Sequence, residues 1–595
     1  MARKHDGSSG SNTGGLPNIT PFAPELIVVA KPGAGLRART TGLVSMASAD
    51  LGDMVAALSE AEATMRPLFG ENEERIRLSQ AALPAGNGLT GDVPDLSLFY
   101  HVEVPGEAPS EALTNLADKL RGMPVVAAAY VKPPTYLAAE AALMQPEPPL
   151  AESINDMTAA PAEAPPASPD FTASQLYLDA APGGIDARYA WTLPGGRGAG
   201  VRVIDIEGAW LFTHEDLRVG QGGIIGTATN DLGWRNHGTA VAGVISGDVN
   251  TLGITGICPD AHIRGASIFG PGSAGAIRAA ADLLSPGDII LIELHRPGPQ
   301  STGVGQQGFI AIEWWPDDYA AIRYAVNRGI IVVEAAGNGA VNLDDPIYNT
   351  PGAGFPADWR NPFNRAQRDS GAVLVGAGAP PPGTHGRDHG PDRSRLDFSN
   401  FGAAVDAQGW GREVTTAGYG NLQGGSSEEL WYTDTFSGTS SASPIVVGAI
   451  GCTQGVLRAR GRIPLSPART REILRATGSP QTDAPTRPRT QRIGNRPNLR
   501  QVISMALQQN NWIGVQFTGT LAANTTQRWF TYNWPAHWHV VWTIVPVSPR
   551  PGGAQIRWQV EVERASDRYV TYWISITNLT NEPVNVEARY AVLGW

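Results

Sequence analysis

Three separate segments carry side chains that together could perform nucleophilic and acid–base chemistry. The stretch "FSGTSSASP" places Ser440 among small residues, just before an apolar run with helical spacing. "NHGTAVAGVISG" contains His237, and "VRVIDIEG" places Asp205 at the end of an apolar strand pattern. A serine hydroxyl needs a base to accept its proton, and that base needs an acid to orient it. Ser440, His237 and Asp205 are therefore candidates for nucleophile, base and orienting acid.

The helix predicted after Ser440 offers a place for a developing negative charge. Its first amide hydrogens and the positive end of its dipole suit an oxyanion. Gly438 and the small side chains around it let a peptide carbonyl approach closely, and Pro444 fits the first turn of a helix. Because Ser/Thr clusters also cap helices without doing chemistry, this segment alone leaves both interpretations open.

The combined pattern resembles the subtilisin-like serine proteases (subtilases). The residues occur in the order Asp…His…Ser, with Gly-Thr-Ser-x-Ala-x-Pro around the serine and His-Gly-Thr at the base. "VVEAAGNG" resembles the family's segment with the oxyanion-hole asparagine, which implies that role for Asn338, and "LDFSNFG" resembles a further family stretch. The resemblance covers residues 169 to about 505.

The resemblance implies a serine endopeptidase that acts through an acyl-enzyme and needs no cofactor for its chemistry. Ser440 would attack the scissile carbonyl, His237 would move the proton, and Asp205 would hold the imidazole. Two alternatives stay open: a catalytically silent binding protein with this fold, or a peptide acyl-transferase (macrocyclase) that uses the same triad.

Two departures from the family pattern concern the site. Ile206 and Glu207 follow the aspartate, where family members usually have Thr-Gly or Ser-Gly. "IELHRPGPQ" stands where the family has a Ser-Leu-Gly-Gly strand that lines the bound peptide. The resemblance thereby predicts four substrate-binding residues: Glu293, Leu294, His295 and Gly337. Glu293 either favours a basic residue before the scissile bond, or pairs with Arg296 or His295 and faces away.

A structural calcium ion is also a possibility that the resemblance raises. Asp216, Asn250, Leu252 and Ile254 match the positions where many subtilases place calcium ligands, two of them through backbone carbonyls. Oxygen-only ligation suits a hard cation. The alternative is an ordinary turn without a metal.

The periodicity predicts a multidomain chain with an α/β centre. Continuous apolar strands alternate with helical runs over residues 169–505, which is typical of a doubly wound parallel sheet. A disordered tail is predicted for 1–22, an α+β domain, plausibly ferredoxin-like, for 23–137, and a Pro/Ala-rich linker for 138–168. Residues 506–595 read as a Trp-rich β-sandwich.

The predicted α+β domain resembles a subtilase propeptide, which would template folding and inhibit the site with its last strand. "AAYVKPP" is similar to the end of that strand, so cleavage is expected after about Tyr136, within the linker. The chain would then be a zymogen that processes itself. The alternative is a domain that stays attached permanently.

The C-terminal domain contains half of the sixteen tryptophans of the chain, from Trp512 to Trp595. These rings either fill the core of a thin sandwich or form a face that binds a partner or a glycan.

Composition excludes several classes of protein. The formal charge of -11 argues against nucleic acid as a partner, and no apolar window is long enough to predict a membrane span. The two cysteines, Cys258 and Cys452, lie in apolar surroundings that predict buried free thiols. The first residues show no classical signal peptide, which leaves localisation uncertain between leaderless secretion and the cytoplasm.

Overall fold

The computed structural model describes residues 21–39, 42–70, 76, 94–106, 110–139, 167–508 and 512–594. Most of the predicted tail, residues 1–20, and most of the predicted linker, residues 140–166, lie outside the described residues. Phe22, which was assigned to the disordered tail, instead forms an antiparallel bridge with Thr135.

The N-terminal unit is an antiparallel sheet with two helices, in strand order β4-β5-β1-β6. Its elements are β1 (Glu25–Ala30), β2 (Leu36–Arg39), β3 (Gly42–Ser45), α1 (Gly52–Glu60), β4 (Thr64–Pro67), β5 (Phe99–Glu103), α2 (Ser110–Arg121), β6 (Val126–Lys132) and β7 (Tyr136–Leu137). The helical spacing from Asp50 to Met65 predicts one long helix, but α1 ends at Glu60. The segment after it forms β4 instead, because it pairs with β5.

The central unit is built on a seven-stranded parallel sheet in the order β16-β15-β14-β11-β8-β10-β9. Its strands are β8 (Arg202–Glu207), β9 (Gln221–Ile225), β10 (His262–Ser267), β11 (Ile289–Ile292), β14 (Ile331–Ala335), β15 (Val373–Gly378) and β16 (Val405–Trp410). Four short strands stand outside this sheet: β12 (Leu294–Pro297), β13 (Phe309–Ala311), β17 (Val414–Ala417) and β18 (Tyr432–Phe436). The predicted α/β parallel-sheet class is confirmed.

Helices cover both faces of this sheet. They are α3 (Ala187–Ala190), α4 (Leu232–Ser246), α5 (Gly272–Leu283), α6 (Pro316–Asn327), α7 (Thr439–Ala459), α8 (Pro467–Ala476) and α9 (Leu499–Leu507). Because side chains alternate along a strand, Val203 packs with residues of α4 and α7, whereas Ile204 packs with residues of α5 and α6. Helix α7 is long and apolar enough to cross a membrane, but it is completely buried in this core.

The periodicity misses the two edge strands of the sheet. Strand β9 contains Gly222 and Gly223 and is only half-buried, so it lacks a continuous apolar run. Strand β16 carries Asp406, which is buried and paired with Arg365 and Arg475. Edge strands are shielded on fewer sides than central ones, and their sequence pattern is correspondingly weaker.

The two cysteines are buried free thiols, as predicted.

The C-terminal unit consists of two three-stranded antiparallel sheets, in the orders β19-β24-β21 and β20-β23-β22. Its strands are β19 (Trp512–Leu521), β20 (Thr526–Pro535), β21 (His539–Pro546), β22 (Ile556–Glu563), β23 (Tyr569–Asn578) and β24 (Val584–Gly594). Both sheets contribute to one apolar cluster. Trp534 and Trp542 are buried in it, whereas Trp558 is 38% exposed, so the tryptophans serve more than one purpose. A partner or glycan on this domain stays a prediction.

The N-terminal sheet is buried on both faces. One face packs on α1 and α2, and the other joins the apolar cluster that contains residues of α5 and α6. Ile27 and Tyr130 on the sheet and Ile277 on α5 belong to this shared cluster. The N-terminal and central units therefore share a core.

A buried ionic cluster, consisting of Glu25, Lys132, Arg296, Asp317 and Asp318, lies at the same junction. Lys132 Nζ is 2.6 Å from Asp317 Oδ2, 3.0 Å from Glu25 Oε2 and 3.3 Å from Asp318 Oδ2. Arg296 Nη2 is 3.2 Å from Glu25 Oε2. All five side chains are at most 2% exposed. Each of these charged groups loses its hydration on burial, and the ion pairs between them compensate for that loss.

Replacing Lys132 with methionine should strongly destabilise the chain. The substitution leaves buried carboxylates short of a counter-ion, and breaking a buried pair in this way typically costs about 3–5 kcal/mol. Urea unfolding of an inactive Ser440→Ala chain measures the effect. The matched control is Lys119→Met, because Lys119 pairs with Glu60 on the exposed surface and little change is expected. Equal unfolding midpoints for the two variants would contradict the assignment.

Candidate active site

Helix α4 carries His237 and is held against the loop that follows β8. The Asp231 side chain caps the helix by accepting a hydrogen bond from the Trp234 N–H at 3.1 Å. A Cβ at position 238 would stand 2.3 Å from the carbonyl oxygen of Ala209, so only glycine fits there. Thr239 Oγ1 accepts from the Leu211 N–H at 2.9 Å. The His-Gly-Thr sequence thus fixes the histidine beside the end of β8.

The imidazole of His237 is paired with Glu207, not with Asp205. Its Nδ1 lies 2.8 Å from Glu207 Oε2, and both side chains are fully buried. Asp205 Oδ2 instead accepts a hydrogen bond from Trp210 Nε1 at 2.8 Å. The sequence-based expectation that Asp205 contacts the imidazole is therefore corrected. The physical reason is strand geometry. Glu207 lies two residues after Asp205 on β8, so both side chains point to the same side of the strand.

Ser440 is the second residue of α7, and Gly438, which precedes the helix, has a φ of 103° that favours glycine. Its Oγ is buried and has no hydrogen-bond partner among the described residues, and the same is true of His237 Nε2. Pro444 is the sixth residue of the helix, so its predicted place in the first turn is corrected. Lacking an N–H, it cannot bond the Ser440 carbonyl one turn earlier.

The Glu293 carboxylate faces α7. Ser443 Oγ donates to Glu293 Oε1 at 2.5 Å, and the Ser440 hydroxyl lies beside the same carboxylate. Glu293 pairs with neither Arg296 nor His295. The predicted alternative in which it pairs with one of them and faces away is therefore wrong. The other, selection of a basic residue, is not supported, because the carboxylate is fully buried against these hydroxyls.

Three carboxyl groups and one imidazole are therefore buried close to one another. Burial raises the pKa values of Asp205, Glu207 and Glu293 well above their usual range, and the charges of the neighbouring carboxylates act in the same direction. Burial lowers the pKa of His237 to about 3. Like charges this close cannot all ionise, so the cluster retains protons at neutral pH and the imidazole is neutral.

The Asn338 side chain is fixed by Thr439. Its Oδ1 accepts from the Thr439 N–H at 2.9 Å and from Thr439 Oγ1 at 2.8 Å. Its Nδ2 is thereby turned towards the carbonyl oxygen of Ala138, to which it donates at 2.6 Å. The Ser440 N–H donates to the same oxygen at 3.2 Å. Two donors converge on one carbonyl oxygen, which is the geometry of an oxyanion hole.

The loop that carries Asn338 needs both Gly337 and the "LDFSNFG" segment. Gly337 has a φ of 95°, and a Cβ there would stand 2.8 Å from Asn400 Nδ2. Asn400 donates to the carbonyls of Ala336 and Phe309 and accepts from the Val341 N–H. This single amide therefore ties both ends of the loop to β13.

Strand β7 of the N-terminal unit lies along β12 at the site. Leu294 pairs with Leu137 and His295 with Tyr136 in an antiparallel register. The Ala138 N–H donates to the Glu293 carbonyl at 3.1 Å, and Ala139 bridges to Gly438. The predicted peptide-lining strand thus holds a segment of this chain itself, with the Ala138 carbonyl between Asn338 Nδ2 and the Ser440 N–H.

His295 contacts the loop that carries Asn338. Its Nδ1 accepts from the Asn338 backbone N–H at 3.3 Å, and its ring contacts Phe309 edge-on, with centroids 5.0 Å apart. Burial lowers the pKa of His295 to about 3, so it is neutral.

The predicted calcium ligands come together, but they do not suit a cation. Asp216 accepts from Asn250 Nδ2 at 2.6 Å, from the Ile254 N–H at 2.6 Å and from the Tyr432 hydroxyl at 3.1 Å. Asn250 Oδ1 accepts from the Leu252 N–H. Burial raises the pKa of Asp216 to about 7. Hydrogen-bond donors surround the carboxylate, where a calcium site requires converging oxygens.

The sequence predicted Ser440, His237 and Asn338 as site residues. The structure places Asn338 and Ser440 at one carbonyl oxygen and His237 beside the end of β8. The sequence also predicted that the last strand of the N-terminal unit occupies the site, but it gave no role to Glu207 or Thr439 and did not identify Ala138 as the docked residue. Glu207 had a detectable signal, since a residue two positions after Asp205 shares its face of the strand. The identity of Ala138 had none, because it depends on contacts between distant segments.

Residues 218–501 match the model of the subtilase family, Peptidase_S8, so the predicted resemblance is confirmed. His237, Asn338 and Ser440 lie inside the matched region. An extracellular serine proteinase of Thermus sp. (strain Rt41A) is 28% identical over 268 residues, which are 44% of this chain and 52% of that protein. Subtilisin BL of Lederbergia lenta is 27% identical over 260 residues, 42% of this chain and 75% of that protein.

The chain spans about half the length of the first curated relatives that it matches, 52% and 53%. Among solved structures, fervidolysin from Fervidobacterium pennivorans is 15% identical, with a TM-score of 0.45 over 96% of this chain and 73% of that one. The PatG macrocyclase in complex with peptide is 15% identical, with a TM-score of 0.38 over 54% of this chain and 94% of that one.

Calcium should not stabilise this protein through Asp216. If a site were present, calcium at about 100 times its Kd would add about 2.7 kcal/mol to the free energy of unfolding. We expect equal thermal unfolding midpoints in EGTA and in calcium chloride. Asp216→Asn is the control, since it removes the carboxylate that a cation would need. A midpoint raised by calcium in the unsubstituted chain but not in Asp216→Asn would contradict this assignment.

Proposed function

We propose, from the premise that residues 218–501 belong to the subtilase family, that this protein is a serine endopeptidase synthesised as a zymogen. The observation that carries the proposal is the placement of Ala138. Its carbonyl accepts from Asn338 Nδ2 and the Ser440 N–H, while the residues before it pair with β12. A peptide bond held in this way is bound as a substrate.

The attacking group is the Ser440 hydroxyl. Oγ bonds to the carbonyl carbon of Ala138, and its proton passes to His237 Nε2. The carbonyl oxygen becomes an oxyanion, which Asn338 and the Ser440 N–H stabilise. The bond to the Ala139 nitrogen then breaks as His237 returns the proton to that nitrogen. Water hydrolyses the resulting ester by the same steps in reverse order.

Glu207 takes the role that the sequence assigned to Asp205. Its carboxylate holds the His237 Nδ1–H and stabilises the imidazolium that forms when the proton arrives. Asp205 supports this role indirectly. Burial and the charge of Glu207 raise the pKa of Asp205, so Asp205 retains a proton and the negative charge lies on Glu207.

The N-terminal unit then serves as the propeptide and inhibitor of this enzyme. Its strand order is ferredoxin-like, its sheet shares a core with α5 and α6, and its last strand fills the site. The bond after Ala138 is the self-processing site. The shared core and the buried ionic cluster would keep the unit bound after cleavage, so the substrates are polypeptides that reach the site only after it leaves.

Self-processing at the bond between Ala138 and Ala139 is the expected outcome for the purified chain. Intact mass measured over time should show fragments 1–138 and 139–595 for the unsubstituted chain, and an intact Ser440→Ala chain as the control. A fluorophosphonate should label the processed chain at Ser440 and leave the variant unlabelled. Lack of both cleavage and labelling in a folded chain would favour the silent binding protein.

Glu207→Gln should reduce the self-processing rate by about 10³–10⁴-fold, because an amide cannot hold the required tautomer or stabilise an imidazolium. Asp205→Asn is the matched control on the same strand, and it should cost less. Single-turnover cleavage at the Ala138–Ala139 bond gives both rates. If Asp205→Asn is the more damaging substitution, the orienting role returns to Asp205.

A further inference from the structure

The docked strand shows which residues surround the side chain before the scissile bond, here called the P1 side chain. Ala138 occupies this position, an assignment that rests on the proposed function. Its carbonyl and its N–H are held by Asn338 and by the Glu293 carbonyl, so its Cα lies between β12 and the loop after β14. Ala138 is completely buried. A longer P1 side chain must enter the space between these two elements.

The ring of His295 crosses that space. His295 is on β12 and pairs with Tyr136 on β7. Ala138 lies two residues after Tyr136, so Ala138 and His295 are on the same face of the strand pair. The ring ends at the loop after β14, where Nδ1 accepts from the Asn338 backbone N–H. The Leu137 carbonyl is a further polar neighbour of the ring. The imidazole therefore bridges β12 and the oxyanion loop on the face that carries Ala138.

The ring of His295 lies in closely packed surroundings. Phe309 packs edge-on against it and also contacts the ring of Tyr136, with centroids 5.1 Å apart. Gln306 joins the loop to the docked strand, since it accepts from Asn338 Nδ2 at 3.1 Å and donates to the Leu137 carbonyl at 3.4 Å. His295, Phe309 and Gln306 are each at most 8% exposed. Gly339 packs tightly on Phe309, since a Cβ there would stand 2.2 Å from the Phe309 carbonyl oxygen.

We propose that His295 closes the P1 pocket, so that this enzyme cleaves only after residues with very small side chains, namely alanine, glycine and serine. The substrates are then polypeptides with small residues at the cleavage site, and His295 is the specificity-determining residue. A larger side chain would have to displace a packed and hydrogen-bonded ring, and tightly packed interiors resist such displacement.

Self-processing of the full chain tests the proposal without an external substrate. Four chains are compared by single-turnover cleavage at the bond after residue 138: unsubstituted, Ala138→Phe, His295→Gly and the double variant. We expect Ala138→Phe to slow cleavage by at least about 100-fold. We expect the double variant to cleave within about tenfold of His295→Gly, because removal of the ring makes room for phenylalanine.

Two controls separate pocket size from other effects. His295→Asn keeps an acceptor for the Asn338 N–H but is smaller than imidazole, so it should admit side chains of intermediate size. Gly, Ser, Val and Leu at position 138 should give rates that fall with side-chain volume in the unsubstituted enzyme and that vary little in His295→Gly. Fluorophosphonate labelling of Ser440 normalises every rate to the fraction of competent sites, and His295→Asn replaces His295→Gly if the latter does not label.

Equal cleavage of the Ala138→Phe and unsubstituted chains overturns the proposal, and so does a double variant that stays as slow as Ala138→Phe. These outcomes differ from a failure of the proposed function, in which the unsubstituted chain neither cleaves nor labels.

Discussion

Burial of an imidazole and three carboxyl groups close to one another is the constraint on which this site depends. Strands β8 and β11 are parallel neighbours, with Leu291 level with Asp205 and Ile292 level with Ile206. Their carboxyl ends therefore bring Glu207 and Glu293 to the same edge of the sheet. Charges at such an edge repel each other, and protons must remain in the cluster to keep it stable. The histidine that contacts the cluster is held neutral, because burial lowers its pKa.

The N-terminal unit contacts the rest of the chain in three ways. Its last strand pairs with β12 and brings Ala138 to Asn338 and Ser440, and both Ser440 and His237 are fully buried. Lys132 anchors the same unit among buried carboxylates. Its sheet also shares an apolar core with α5 and α6.

Two regions, around Asp216 and along β12, contain hydrogen bonds and ring contacts that the family resemblance did not predict. Around Asp216, an amide, an N–H and the Tyr432 hydroxyl donate to the carboxylate that was predicted to bind calcium. Along β12, an imidazole stands where the family pattern has glycine, and it accepts a hydrogen bond from the Asn338 backbone.

Sequence alone determined the α/β class, most central strands and helices, and the identities of Ser440, His237 and Asn338 as site candidates. These features follow from local periodicity and from short motifs, whose residues lie on adjacent turns or strand ends. The choice of Glu207 over Asp205, the direction of Glu293 and the docking of Ala138 were decided only by the tertiary structure. Each depends on which atoms of distant segments meet in the core, and packing and desolvation select those contacts among options that the local sequence leaves equivalent.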